Sequence, residues 1–157
     1  MASDNVSKTM KIISTVSLGH LAGITAFKSS CIQPALEEQE DVPAAAKTMS
    51  CILKRSSVLP IVSIVSSASS LYVYYKSYGT KSEDEFYLIS SLMIGGLVPY
   101  TAWMLLPINQ HFLSEGETFE HSDEKWKFLM KDWKKWHLPR SVVCASLFSM
   151  AVYKLVF

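Results

Sequence analysis

Charge is absent from two long stretches of the chain. Ser56–Tyr75, "SSVLPIVSIVSSASSLYVYY", runs for 20 residues without Lys, Arg, Asp or Glu, and Phe86–Ser114 for 29. A helix of about 20 apolar residues crosses the hydrocarbon core of a bilayer, so each is long enough. Ile12–Phe27 is a third uncharged run, interrupted by Lys28 before "SSCIQPAL" continues it. A fourth, Leu138–Phe157, carries charge only near its ends, at Arg140 and Lys154, where long side chains reach the headgroups. None of these runs has the polar stripe at helical period that a water-facing helix needs, nor the alternation of a membrane β-barrel. The pattern predicts an all-α protein: one integral membrane domain over residues 1–157, a bundle of four transmembrane helices at about 11–33, 56–77, 86–108 and 139–157.

Between the third and fourth runs the period changes. In "HSDEKWKFLMKDWKKWH", His121–His137, apolar Trp126, Leu129, Met130, Trp133 and Trp136 recur at three-and-four spacing, flanked or opposed by five lysines. This predicts an amphipathic helix lying in the headgroup plane before the last span. Pro139 suits the first turn of a new helix after it. Small residues four apart, such as Gly19 and Gly23, Ser63 and Ser67, or Ser91 and Gly95, predict faces on which membrane helices approach closely. Pro99 should kink the third span or open a cavity there.

Composition narrows the classes. Charged residues make up 18%, below the roughly 25% of soluble domains. A net charge of +1 offers no field for nucleic acid. Cys31, Cys51 and Cys144 form no close-spaced metal motif, and His20, His111, His121 and His137 lack paired ligand spacings, so no metal is expected. Lys47, Lys54, Arg55, Lys125, Lys127, Lys131, Lys134, Lys135 and Arg140 lie in the two longer connections, against Lys8, Lys11, Lys76 and Lys81 in the N-terminus and the connection between the second and third spans. That excess places the longer connections in the cytoplasm. The first residues lack an Arg-rich, acid-free presequence, which favours the endoplasmic reticulum or another endomembrane over mitochondria. The expected partner is the lipid bilayer; whether the chain forms homo- or hetero-oligomers is left open.

Candidate chemistry gathers at one membrane level. Trp133, His137 and Arg140 fall on one helical face, and the connection between the third and fourth spans brings Asn109 to the same side. A polar cluster there is a candidate pocket. The simpler readings are a belt of Trp133 and Trp136, an Arg140 that binds lipid phosphate or pairs with Asp132 or Asp123, and an Asn109 that ends a helix. His20, inside the first span, either bonds a serine of the second or lines a cavity.

"PYTAWMLLPINQHFL", Pro99–Leu113, followed by "WKKWHLPR", resembles a family of small four-helix membrane proteins, the anthrone oxygenases. The matching residues are Pro99, Tyr100, Thr101, Pro107, Asn109, Leu113, Trp133, His137 and Arg140. Gly19, Gly23 and Pro34 make the first span look similar; Lys54 and Arg55 stand where a glycine is expected. The resemblance implies oxidation of an anthrone, an apolar aromatic small molecule, to an anthraquinone by oxygen with no cofactor. It implies His137 as base, Arg140 and Asn109 at the enolate oxygen, and Trp133, Trp136, Thr101 and His20 around the ring system. The competing function is a non-catalytic membrane scaffold or complex subunit.

Overall fold

The computed structural model describes residues 2–80, 84–115 and 123–156. Among them no strand occurs, and the helices form four long rods. The first rod is α1 (Ala2–Phe27), a π-helical turn (Lys28–Ile32) and α2 (Gln33–Glu37). The second is α3 (Val42–Arg55), an irregular turn and α4 (Leu59–Ser77). The third is α5 (Glu85–Tyr100), a second π-helical turn (Thr101–Leu105) and α6 (Leu106–Glu115), and the fourth is α7 (Asp123–Val156). Asp41 and Asp84 start α3 and α5 by accepting from the backbone N–H groups of Ala44 and Phe86, each at 3.0 Å.

Asn5–Glu37, Val42–Ser77 and Glu85–Ser114 are long and apolar enough to cross a membrane. α7 falls short of that, because Arg140 and Lys154 dilute its apolar half and lysines crowd the other. A 33-residue helix such as Asn5–Glu37 measures roughly 50 Å at 1.5 Å per residue, well beyond a hydrocarbon core of about 30 Å. The rods therefore have length to spare, and it is used at one end.

Two buried cores divide the molecule along the rods. In the bundle, Leu18, Leu21, Leu59, Ile94, Leu97, Cys144 and Leu147 pack together, with α1 between α4 and α7 and α4 against α5. The outer surface of this half is apolar: Val16, Ile61, Ile64, Leu92 and Val142 are all exposed. At the end carrying the longer connections, Leu36, Val42, Ala45, Met49, Leu105, Phe112, Trp126, Met130 and Trp133 form a second core, a cap made by α2, α3, α6 and the first half of α7.

That cap corrects one expectation. The stretch expected as a separate interfacial helix, 121–137, is the first half of the unbroken helix α7, with 121–122 outside the described residues. Its stripe of Trp126, Met130 and Trp133 is buried against α3 and α6. The apolar period was read as a lipid-facing stripe, but the same period serves a protein partner equally well. Pro139 does not start a new helix; it sits inside α7. Trp103, 82% exposed, is the tryptophan that does face outward.

The small residues divide likewise. A Cβ on Gly19 would come within 2.8 Å of the Phe148 ring, and one on Gly95 within 3.0 Å of Ser67 Oγ, whereas Gly23 meets nothing within 4 Å. Close approach is thus needed at Gly19 and Gly95, where α1 meets α7 and α5 meets α4. Serines add polar ties across the bundle: Ser14 to Ser70 at 2.7 Å, and Ser67 to the Ser91 carbonyl at 2.9 Å. Gly19→Leu should therefore lower the melting temperature in detergent. Gly23→Ala, by removing a mid-helix glycine worth about 1 kcal/mol in propensity, should leave it unchanged or raise it.

Candidate functional site

Where the two cores meet, the first three rods lose α-helical regularity, and each break is followed by a proline. Gln33 donates its backbone N–H to Lys28 O and is followed by Pro34; Leu106 donates to Thr101 O and is followed by Pro107. In both places a proline without an N–H follows a turn widened to i→i−5 bonding. Pro60 follows the irregular turn at Ser56–Val58, and Pro139 interrupts the backbone bonding of α7. The side chains from these turns line one cavity of about 230 Å³, among them Lys28, Ser56, Thr101, Asn109, Trp133, His137 and Arg140. A neighbouring cavity of about 180 Å³ shares Pro60, Thr101, Leu106 and Arg140 with it.

The floor is a stacked pair. The Trp133 and His137 rings lie 4.2 Å apart and 13° from parallel, one helical turn from each other. The Trp133 indole N–H donates to Asn109 Oδ1 at 3.1 Å, which commits the amide oxygen and leaves the NH₂ as donor. His137 is 3% exposed, and its Nδ1 lies 3.0 Å from Ser29 Oγ. Ser29 Oγ lies 3.0 Å from Ser141 Oγ, which donates to the Thr25 carbonyl at 3.1 Å.

Two cations share this space. Lys28 is buried in the first π-helical turn and donates to Ser56 Oγ at 2.5 Å. Arg140 is 8% exposed, and its Nε is buried with no partner. No carboxylate among the described residues lines the cavity. Arg140 thus does not pair here with Asp132. His137 precedes the last expected span, and burial, then Arg140, then Lys28, push its pKa down from 6.5 to about 3. The ring is a neutral acceptor at physiological pH.

The model of the anthrone oxygenase family matches residues 49–150, more than half of the chain. The chain belongs to that family. No curated protein and no solved structure matches it. Ser56, Thr101, Asn109, Trp133, His137 and Arg140 fall inside the anthrone oxygenase match, while Lys28 and Ser29 lie before it.

Of the residues singled out in the sequence, Asn109, Thr101, Trp133, His137 and Arg140 line the cavity together. Trp136 does not: it is half-buried against the cap, under the Lys135 ammonium, and its carbonyl accepts from Tyr100 Oη at 2.8 Å. His20 does not either: it is exposed on α1, because Ser14, Leu18, Leu21 and Thr25 take the faces that pack. Sequence reasoning missed Lys28 as a cavity group, and Ser29 and Ser141 as the partners of His137 Nδ1. Lys28 carried a signal, a charge inside an apolar run; the serines carried none.

At the described residues no group of three His, Cys, Asp or Glu side chains is placed to hold a metal ion. One acid-linked effect follows from His137. The folded ring resists protonation while the unfolded chain binds a proton near pH 6.5, so the folded state holds fewer protons and stability falls as pH drops from 6.5 toward 3. Between pH 7 and 5 the loss from this group should be about 2 kcal/mol. Thermal unfolding in detergent should show it, and His137→Gln should flatten that slope.

Proposed function

We propose that this cavity binds an anthrone-type polycyclic phenol and promotes its oxidation by molecular oxygen to a quinone. The observation that carries the reading is the pair of buried cations, Lys28 and Arg140, beside a flat Trp133–His137 stack, with no carboxylate among the described residues lining the same cavity. Such cations call for an anionic guest, and the stack calls for a planar one. The cavity and its neighbour together exceed the roughly 300 Å³ at which small-ligand sites begin.

The chemistry asks little of the protein. The central methylene of an anthrone is acidic because its carbanion is an aromatic, phenoxide-like enolate. His137 takes a methylene proton. Arg140, Lys28 and the Asn109 NH₂ hold the oxygen on which the negative charge settles. That charge in turn raises the proton affinity of His137, which the two cations alone hold low. The electron-rich carbanion passes one electron to O₂, and the radical pair joins as a peroxide at the same carbon. His137 returns its proton to that peroxide, and loss of water, made of this proton, the second methylene hydrogen and the outer oxygen atom, leaves the new carbonyl and a neutral ring. One oxygen atom enters the product and the other leaves as water. The substrate's own anion is the reductant, so the sequence of steps calls for no cofactor.

In this reading the chain is a multi-pass endomembrane protein with four crossings, the last at about 139–157. The cap faces the cytoplasm, and the exposed Lys127, Lys131, Lys134 and Lys135 of α7 lie at headgroup level. Apolar substrate and oxygen both concentrate in lipid, beside the cavity.

Membranes carrying the chain, incubated with an anthrone, should produce quinone absorbance with equimolar oxygen uptake. His137→Ala should lower the rate by about 10²-fold or more, and Arg140→Gln by a similar factor. Lys28→Met and Asn109→Ala should weaken it less, chiefly through KM. A wild-type chain without turnover, or a His137→Ala variant at full rate, would overturn the assignment. The first result would favour a non-catalytic membrane subunit.

A further inference from the structure

Nothing so far assigns Ser29 and Ser141 a task, yet they are the groups that touch His137 Nδ1. The Ser29 oxygen lies 3.0 Å from Nδ1 and 3.0 Å from the Ser141 oxygen; the Ser141 oxygen lies 3.1 Å from the Thr25 carbonyl. A carbonyl only accepts, so the Ser141 hydroxyl must donate to it. The proton between the two serines must then come from Ser29. Ser29, having spent its proton on Ser141, must accept from Nδ1. One assignment therefore makes all three contacts hydrogen bonds, and it runs in one direction: Nδ1–H to Ser29, Ser29 to Ser141, Ser141 to the Thr25 carbonyl.

We propose that Ser29 and Ser141 are positioning residues that lock His137 as the Nδ1–H tautomer, so that its bare Nε2 is the proton acceptor offered to the cavity. The lock rests on the oxygenase reading for its purpose but not for its existence. It uses both rods: Thr25 and Ser29 stand one turn apart at the end of α1 and the start of its π-helical turn, His137 and Ser141 one turn apart in α7. The sign is set by the fixed end of the chain, a backbone carbonyl that no rotation converts into a donor.

The two serines are unequal, and that is what makes the idea testable. Without the Ser141 hydroxyl, Ser29 is freed to turn and donate into Nδ1, which stabilises the opposite tautomer. Without the Ser29 hydroxyl, Nδ1–H still has Ser141 Oγ at 3.4 Å to donate to. Nitrogen-15 spectra of histidine-labelled protein in detergent, with the His137 signals assigned by their loss in His137→Gln, report the tautomer directly. The wild type should show a protonated Nδ1 and a bare Nε2. Ser141→Ala should shift the ring toward Nε2–H and Ser29→Ala should not, and Ser141→Thr, which keeps a hydroxyl, should restore the wild-type spectrum. With an anthrone, Ser141→Ala should lose about tenfold or more in kcat at little change in KM, and Ser29→Ala less.

A wild-type ring protonated at Nε2, or a Ser141→Ala ring with the wild-type tautomer, would overturn the proposal even if anthrone turnover were present. The predicted tautomer and its switch in a chain that turns over no anthrone would uphold the lock and remove the oxygenase reading instead.

Discussion

A cation taken out of water costs several kcal/mol unless something answers its charge, and this fold encloses two. Lys28 and Arg140 reach the same cavity from different rods, at the level where the bundle core ends and the cap core begins. Ser56 answers the lysine with a single hydroxyl, and the Arg140 Nε has no protein partner. Between the apolar bundle core and the apolar cap core, both charges are buried. The pocket is therefore an electrostatic consequence of two cores stacked end to end, with the charged groups confined to the seam.

Proline makes the seam possible. An uninterrupted helix presents its side chains at 100° intervals and buries its backbone bonds, leaving little freedom to aim neighbouring residues. The two π-helical turns and the irregular turn at Ser56–Val58 all contribute residues to one cavity. Each relaxes the backbone where a polar side chain must reach inward. Lys28 and Ser29, consecutive residues of one widened turn, accordingly serve different partners: Ser56 at the start of the second rod and His137 in the fourth.

The cap gives the tryptophans of α7 a purpose other than anchoring. Trp126 sits edge-on against Phe112, with ring centroids 5.6 Å apart, and Trp133 lies under His137 while holding Asn109. Packing of this helix against α3 and α6 fixes the height and rotation of His137 and Arg140, which follow on the same helix. A site whose polar residues stand on a helix with one face packed into a core is more rigid than one carried on a loop.

Long uncharged runs were enough to establish an all-helical, membrane-type chain in four segments, because the cost of an unpaired backbone in lipid leaves helices as the economical answer. Trp133, His137 and Arg140 were legible as one cluster because side chains at i, i+4 and i+7 share a face, and the structure brings Thr101 and Asn109 to the same cavity. Three matters were beyond reach of the one-dimensional pattern. An amphipathic stripe does not say whether lipid or protein covers it, so the tryptophan helix was read as interfacial and proved to be a cap. A histidine in a span does not say which way its face turns, so His20 was a candidate and proved exposed. Ser29 and Ser141, 112 residues apart, look like any other serines until the crossing of α1 and α7 sets their oxygens 3.0 Å from each other. Periodicity is a property of one helix; rotation about its axis, and hence what meets what, is decided only when the helices pack.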